Sequence, residues 1–220
     1  MVPVSEPRAI AVCDLLDAGY GEAEWEPHNP PLDELVLTIL SQNTTSANCR
    51  AAFIELRSRF PTWQAVAEAP AERIADAIRS GGLARIKAPC IKAILQQMGS
   101  LDLTWLSEAP VEEARRFLEG FGGVGPKTAS CVLLFSLGKP VLPVDTHVYR
   151  VAWRVGLIPK VGAEKAHDLL TGQVPAERVY SFHMNMVRHG RSVCKARRPR
   201  CGDCALSGVC DYVREQGEPG

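Results

Sequence analysis

Apolar residues recur along the chain at spacings of three and four, and no sustained alternation of apolar and polar residues interrupts them. This period places apolar side chains on one face of a helix, whereas a half-buried strand needs a period of two. The pattern therefore predicts an all-α protein with few or no strands. The predicted helices are 8–18, 32–41, one capped by Thr44, Thr45 or Ser46 and ended by Pro61, 63–67, 71–78, 86–98, 112–118, 126–136, 148–155, 163–170 and 179–189.

Length and composition exclude several classes of protein. The chain has 220 residues, of which 46% are hydrophobic and 23% charged, so it is expected to fold without disulfides as one large or two small domains. Residues 1–16 lack the basic start and apolar run of a secretion signal, and no apolar stretch is long enough to cross a bilayer. We expect a soluble, cytoplasmic monomer with no membrane partner.

Charge is unevenly distributed although the formal net charge is zero. Residues 1–32 carry one basic and six acidic side chains, whereas residues 147–200 carry eleven basic and three acidic ones. Concentrated positive charge favours a surface that binds a polyanion. Charge alone leaves a merely solvated basic face as an equal alternative.

A glycine-rich turn joins two predicted helices in the segment LEGFGGVGPKTAS, residues 118–130. Glycine permits positive φ and a close approach of the backbone to a ligand, and Pro126 suits the first position of a helix. The segment therefore predicts a helix-hairpin-helix whose exposed N–H groups, around Gly123 and Gly125, bind phosphate. A plain helix connection is the alternative.

Lys127 is the second residue of the helix that follows this turn. The positive end of the helix dipole and apolar neighbours both disfavour a protonated amine there. A neutral lysine amine is a nucleophile that forms Schiff bases with sugar aldehydes. A lysine that only contacts phosphate is equally compatible with this position.

Asp145 stands in the segment LPVDTHVYRV, just before a predicted helix. An isolated aspartate at such a place is most often an N-cap. Beside a sugar C1′, the same carboxylate would stabilise an oxocarbenium-like transition state or assist proton transfer. Lys127, Asp145 and a phosphate-binding turn together suggest attack on a nucleotide sugar.

Four of the eight cysteines fall within seventeen residues, with the spacing C-x6-C-x2-C-x5-C. They are Cys194, Cys201, Cys204 and Cys210. Such a cluster indicates a metal site, and four thiolates suit either zinc or a [4Fe–4S] cluster. The remaining cysteines, Cys13, Cys49, Cys90 and Cys131, are interpreted as buried thiols.

These segments together resemble endonuclease III, a family of the HhH-GPD DNA glycosylase superfamily, from about residue 32 to residue 212. The matching segments, in the family's order, are ILSQNTT, GGLARIKA, GFGGVGPKTAS, LPVDTHVYRV, HGRSVC and the four-cysteine spacing. The resemblance implies an all-α fold of two domains. One is a six-helix barrel with the helix-hairpin-helix at 26–139, and the other an iron–sulfur domain formed by 1–25 and 140–220.

The resemblance also implies an activity and a cofactor. It predicts a bifunctional DNA glycosylase and AP lyase of base excision repair that removes oxidised pyrimidines from damaged double-stranded DNA. Lys127 matches the Schiff-base lysine, Asp145 the catalytic aspartate, and the four cysteines the ligands of a [4Fe–4S] cluster. The implied DNA-binding residues are Gln42, Asn43, Leu83, Gly123, Gly125, His147, Arg150 and Arg191.

Leu83 matches a residue that wedges into the duplex, and a leucine that anchors its loop in the core is the alternative.

Two features depart from the family's pattern. Either Gln42 or Asn43 fills the gap left by the extruded nucleotide, and Pro126 replaces a basic residue. The competing functional hypotheses are a monofunctional or mismatch-directed glycosylase of the same superfamily and a non-catalytic iron–sulfur module that binds DNA.

Overall fold

The computed structural model describes residues 6–216, and within this range it contains helices but no β-strand. The predicted all-α class is therefore confirmed. The α-helices of the described range are α1 (Glu6–Tyr20), α2 (Pro31–Ser41), α3 (Ser46–Arg59), α4 (Trp63–Glu68), α5 (Ala71–Ala77), α6 (Ala84–Gln97), α7 (Val111–Glu119), α8 (Pro126–Cys131), α9 (Thr146–Arg154), α10 (Ala163–Leu170), α11 (Val179–Ser192) and α12 (Asp211–Gln216). Short 3₁₀ turns lie at Arg79–Gly81, Thr104–Ser107, Ala176–Arg178, Cys201–Asp203 and Ser207–Val209.

The chain divides into two compact units, with boundaries after Glu26 and after Lys139. The central unit, Pro27–Lys139, contains α2 to α8. Its helix α2 packs against α3, α6 and α8, which explains why its sequence is apolar on nearly every side. Fully buried side chains of this core include Leu35, Ile39, Leu40, Leu56, Ile74, Ile91 and Leu118.

The other unit is built from both ends of the chain, up to Glu26 and from Pro140 onward. Helix α11 packs against α1 and against α9, around the buried side chains of Leu16, Phe182 and Met186. Arg8 on α1 and Asp211 on α12 form an ion pair with a 2.6 Å distance between Nη2 and Oδ1. Residues 1–5 and 217–220, which the predicted iron–sulfur domain includes, lie outside the described residues.

Helix boundaries agree with the sequence pattern at most places, and two features differ. The predicted helix 126–136 is α-helical only to Cys131 and continues as a π-helical segment, Val132–Ser136. Helix α12 was not predicted, because its six residues are too few to show a period. Within the described range, no helix is both long and apolar enough to cross a membrane.

Candidate functional site

The glycine-rich turn between α7 and α8 is a tight hairpin. Gly123 has a φ of +89°, and a Cβ added to it would lie 2.6 Å from the Sγ of Cys90, so only glycine fits there. Gly125 is the N-cap of α8, and its carbonyl accepts a hydrogen bond from the N–H of Ala129 at 3.0 Å. The first N–H groups of α8 have no partner within the helix and are therefore available to a hydrogen-bond acceptor.

Lys127 lies in the first turn of α8 and is half-buried. It makes no hydrogen bond and no ion pair with any other residue of the described range. Its amine is near enough to the buried thiol of Cys49 to lower the pKa of that thiol, although burial dominates and raises the pKa overall. The hairpin thus holds Lys127 in the first turn of α8, where its amine has no hydrogen-bond or ion-pair partner within the described range.

Asp145 is the N-cap of α9. Its Oδ1 accepts hydrogen bonds from the N–H groups of His147 and Val148, both at 2.8 Å. The capping interpretation of this residue is therefore confirmed for one carboxylate oxygen. No described residue donates to Oδ2, so the carboxylate keeps one oxygen for a second role.

Arg150 braces His147 against the neighbouring helix. Its Nη2 lies 3.0 Å from His147 Nδ1 and donates to the carbonyl of Gly190 at 2.8 Å, while Nε donates to the carbonyl of Cys194 at 2.9 Å. Gly190 allows this contact, because a Cβ there would lie 2.8 Å from the Cβ of His147. The sequence suggested DNA contact for Arg150 and gave no signal for this internal role.

The four cysteines of the C-terminal segment line one pocket, together with Arg154 and His189 among other residues. Burial, with a smaller contribution from the nearby thiols of Cys194, Cys201 and Cys210, raises the pKa of Cys204 to about 11. Sulfur-rich lining with few competing oxygens suits a thiolate-bound group. Among the described residues, however, no group of three or more His, Cys, Asp or Glu side chains has the arrangement to hold a metal ion.

Polar and aromatic side chains surround these sulfurs. Arg154 is 6% exposed and donates from Nη1 to the Sγ of Cys194 at 3.3 Å. His189 Nε2 lies 3.5 Å from the Sγ of Cys204, and its Nδ1 lies 2.9 Å from the hydroxyl of Tyr20. Burial lowers the pKa of His189 to about 4. The guanidinium of Arg154 and the neutral imidazole of His189 therefore both face sulfur atoms of the pocket.

Three of the four other cysteines match their predicted burial, and one does not. Cys13, Cys49 and Cys131 are buried, but Cys90 is only half-buried. Cys90 lies beside the Gly122–Gly123 turn, and its thiol donates to the carbonyl of Gly122 at 3.3 Å. The prediction of a fully buried thiol was therefore wrong for Cys90.

Two exposed turns of the central unit carry the residues expected to enter DNA. Gln42 and Asn43 follow α2, and both side chains are exposed. Leu83 precedes α6 and is 48% exposed, so it is not the core residue that the alternative interpretation required. Asn43 and Leu83 have φ values of +54° and +51°, a left-handed conformation that non-glycine residues seldom adopt.

Comparison with known proteins agrees with this arrangement. Residues 36–176 match the model of the HhH-GPD superfamily of base excision DNA repair proteins. The chain belongs to this superfamily. It is 40% identical over 215 residues to a provisionally named DNA glycosylase of Arabidopsis thaliana, a match that covers 91% of this chain and 72% of that protein. It is also 33% identical over 186 residues to endonuclease III of Escherichia coli, covering 83% and 84% of the two chains.

A solved structure of a trapped covalent endonuclease III–DNA intermediate superposes with a TM-score of 0.82. It shares 27% sequence identity, and the match covers 97% of this chain and 99% of that one. These matches confirm the resemblance to endonuclease III and the expected enzyme class, a DNA glycosylase and AP lyase. The HhH-GPD protein described here is thus a base excision repair glycosylase.

The glycosylase also exposes a row of cations after α11. Arg197 and Arg198 are exposed and make no ion pair within the described range, whereas Arg200 pairs with Asp203 at 2.8 Å. Arg191 and Lys195 are exposed as well. The charge excess of residues 147–200 is therefore displayed at the surface in this segment, where it is available to phosphate.

Proposed function

We propose that the protein excises oxidised pyrimidines, of the thymine glycol type, from duplex DNA and then cleaves the strand through a lysine Schiff base. The observation that carries this proposal is the placement of Lys127. Its amine is half-buried in the first turn of α8, directly after the hairpin, and has no hydrogen bond or ion pair within the described range. An amine without an internal partner, held in the first turn of α8, is available to react with a ligand.

The proposed chemistry starts at C1′ of an extruded nucleotide, because C1′ of a stacked nucleotide is inaccessible. The lone pair of Lys127 Nζ forms a bond to C1′ while the glycosidic bond breaks. The departing base takes the electron pair of the glycosidic bond and picks up a proton. Loss of a proton from the amine and opening of the sugar ring give an imine between Nζ and C1′. Removal of a C2′ proton then expels the 3′ phosphate by β-elimination, and water releases the enzyme.

Asp145 has two proposed roles that use different oxygens. Oδ1 fixes the carboxylate by accepting the two N–H groups at the start of α9. Oδ2 is available to stabilise positive charge that develops at C1′ as the base leaves, and to assist proton transfer. His147, Arg191, Gly123 and Gly125 are proposed DNA contacts, and Arg150 contributes by holding His147 in place.

The four cysteines are proposed as ligands of a [4Fe–4S] cluster. The donor set supports this, since four sulfur atoms line one pocket and Arg154 compensates negative charge on Cys194. The cluster would hold the cationic segment around Arg197 and Arg198 in shape, without a part in bond breaking.

The test incubates the purified protein with duplexes that contain thymine glycol, a G·T mismatch or a preformed abasic site, each with and without borohydride. We expect a reduced covalent adduct on thymine glycol DNA that is absent from Lys127→Ala, while Lys127→Ala still binds the duplex. Excision without an adduct would overturn the Schiff base and favour the monofunctional alternative. A protein that binds but neither excises nor forms an adduct would be the non-catalytic module.

A further inference from the structure

Lys87, on α6, is a buried cation in the central unit. It is 3% exposed and has no carboxylate partner within the described range. Its Nζ donates hydrogen bonds to the carbonyl of Leu40 at 2.7 Å and to the carbonyl of Gly81 at 2.9 Å. A buried ammonium is costly unless its hydrogens are well satisfied, so this position calls for an explanation.

The two carbonyls belong to the two exposed turns described above. Leu40 lies in the last turn of α2, two residues before Gln42. Gly81 ends the 3₁₀ turn that leads to Leu83. Carbonyls at a helix C-terminus lack partners within the helix and attract cations, so the Lys87 ammonium satisfies both chain segments at once.

Both turns contain backbone that needs support. Gly82 and Leu83 are adjacent left-handed residues, with φ values of +68° and +51°, and Asn43 has a φ of +54°. Left-handed backbone costs about 1–2 kcal/mol for a residue with a Cβ. The N–H of Lys87 also donates to the carbonyl of Leu83 at 2.9 Å, so this one residue contacts the second turn from two sides.

Close packing brings the two turns together without leaving room for adjustment. A Cβ placed on Gly81 would lie 3.0 Å from the Cβ of Ala52 on α3 and 3.9 Å from the carbonyl oxygen of Leu40. On the solvent side, an open groove is lined by residues of both turns, including Asn43, Arg79 and Gly82. The two hydrogen bonds of Lys87 Nζ, to the carbonyls of Leu40 and Gly81, therefore form a buried clamp that sets the spacing between Leu83 and the Gln42–Asn43 pair.

We propose that Lys87 is a positioning residue that fixes Leu83 and the Gln42–Asn43 turn in one register, so that both enter the duplex as a single rigid wedge. The inference rests on the proposed function, because it assumes that these turns open DNA. Without the clamp, each turn would move independently, and binding energy would be lost in ordering them. Lys87 acts only through the wedge and touches no reacting atom.

The test uses a duplex with a tetrahydrofuran abasic analogue opposite 2-aminopurine, whose fluorescence rises when it is unstacked. At saturating protein, we expect Lys87→Met to reduce the fluorescence plateau at least twofold, and to slow single-turnover excision of thymine glycol by about tenfold or more, since small misplacements have large effects on rate. Lys92→Met is the matched control. Lys92 lies on the same helix and donates to a carbonyl, that of Ala69 at 2.7 Å, but touches neither turn.

A double-mutant cycle with Leu83→Ala separates positioning from general stability. If Lys87 acts through the wedge, Lys87→Met has a smaller effect in the Leu83→Ala background than in the wild type, and the part that remains is its action on the Gln42–Asn43 turn. Full additivity, or a Lys87→Met plateau equal to that of Lys92→Met, overturns the inference. If Lys87→Met does not fold, Lys87→Gln, which is too short to reach both carbonyls, replaces it with the same expected direction.

The activity of the wild-type protein distinguishes a failure of the Lys87 proposal from a failure of the proposed function. A wild type that neither excises nor forms an adduct overturns the proposed function and the wedge with it. A wild type that excises thymine glycol, matched by an equally active Lys87→Met variant, overturns the positioning role of Lys87 alone.

Discussion

Arg154 donates a hydrogen bond from Nη1 to the Sγ of Cys194 at 3.3 Å. The same side chain donates to the carbonyls of Lys195 at 2.8 Å and Ala196 at 3.2 Å, and lies 4.7 Å from the ring centre of Tyr212. Arg154 is in the last turn of α9, whose first turn is capped by Asp145. One short helix therefore connects the candidate catalytic carboxylate with the cysteine pocket.

Removing the Arg154 guanidinium is expected to weaken the hold on the proposed cluster. In Arg154→Met, the thiolate of Cys194 loses a charge-assisted hydrogen bond, and the following loop loses two more. We expect less iron per protein after purification and a faster loss of the cluster's visible absorbance in air. Arg154→Lys keeps the positive charge but not the planar set of donors. Its iron content and bleaching rate should lie between those of Arg154→Met and the wild type.

Lys160→Met is the control for this change, because Lys160 is an exposed cation near the ring of Trp153 on the same helix. Its iron content and bleaching rate should match the wild type. Equal iron content and bleaching rates in Arg154→Met and the wild type would show that Arg154 does not support the cluster.

Asp145→Asn is expected to separate the cap from the catalytic role. The amide oxygen of asparagine accepts the same two N–H groups, so the free energy of unfolding should change little. The carboxylate charge is lost, and single-turnover excision should fall by about a hundredfold or more. Asp145→Ala should show the same loss of rate and destabilise the protein by about 1 kcal/mol in addition.

For Asp145→Asn and Asp145→Ala, single-turnover kinetics measures the excision rate and urea unfolding measures the free energy of unfolding. Full excision activity in Asp145→Asn would mean that Asp145 serves only as the N-cap of α9.

Gly156→Ala is expected to be strongly destabilising. Gly156 has a φ of +77°, and an added Cβ would collide with Oδ2 of Asp211 and lie 2.5 Å from Nη1 of Arg8. Backbone strain and displacement of the partly exposed Arg8–Asp211 pair together should lower the free energy of unfolding by about 2 kcal/mol. Chemical denaturation provides the measurement.

Gly172→Ala is the matched control, since Gly172 has a φ of +78° but no atom within 4 Å of an added Cβ. It should cost only the backbone strain, about 1 kcal/mol. Equal losses at the two positions would contradict the steric part of the argument.

Asp17 is expected to contribute stability that depends on pH. Burial raises the pKa of its carboxyl, but hydrogen bonds from Arg178, Ser181 and Asn185 outweigh that effect and hold the pKa below the ordinary value of 3.8. A depressed pKa gives stability that is fully present above that value and is lost as pH falls through the folded-state pKa. Asp17→Asn should therefore destabilise by about 1 kcal/mol or more at pH 7, with a smaller difference near pH 3.

Asp14→Asn provides the comparison, because Asp14 also pairs with Arg178 but its side chain is 64% exposed. An exposed ion pair contributes little, so this variant should unfold close to the wild type at pH 7. The Asp17 account fails if Asp17→Asn shows the same acid dependence as the wild type.

The features that could be predicted from the sequence are those set by residues close together in the chain, such as helix caps and helix starts. Thr45 caps α3 by accepting a hydrogen bond from the N–H of Asn48, as its position before an apolar stripe indicated. Pro126 begins α8 because its missing N–H costs nothing there. The exposure of Leu83 agrees with the wedge interpretation, although nothing in its own segment excluded a core leucine.

Features that depend on packing could not be predicted. Lys87 stands in an amphipathic helix where a lysine normally faces solvent, and only the tertiary structure reveals its two carbonyl partners from distant segments. The π-helical turn at Val132–Ser136 follows an apolar pattern that continues without a break. For Arg150, the sequence does not distinguish a phosphate contact from an internal brace.

The unit that contains Asp145 and the four cysteines is assembled from two stretches of chain separated by the whole central unit. On the ribosome, α1 emerges first, and its buried face has no partner until α11 has been made about 160 residues later. Pro27–Lys139 is synthesised in between, so closure of the cysteine-bearing unit must wait until α11 has been made. Nascent chains that stop short of α11 would therefore present the apolar face of α1 to chaperones.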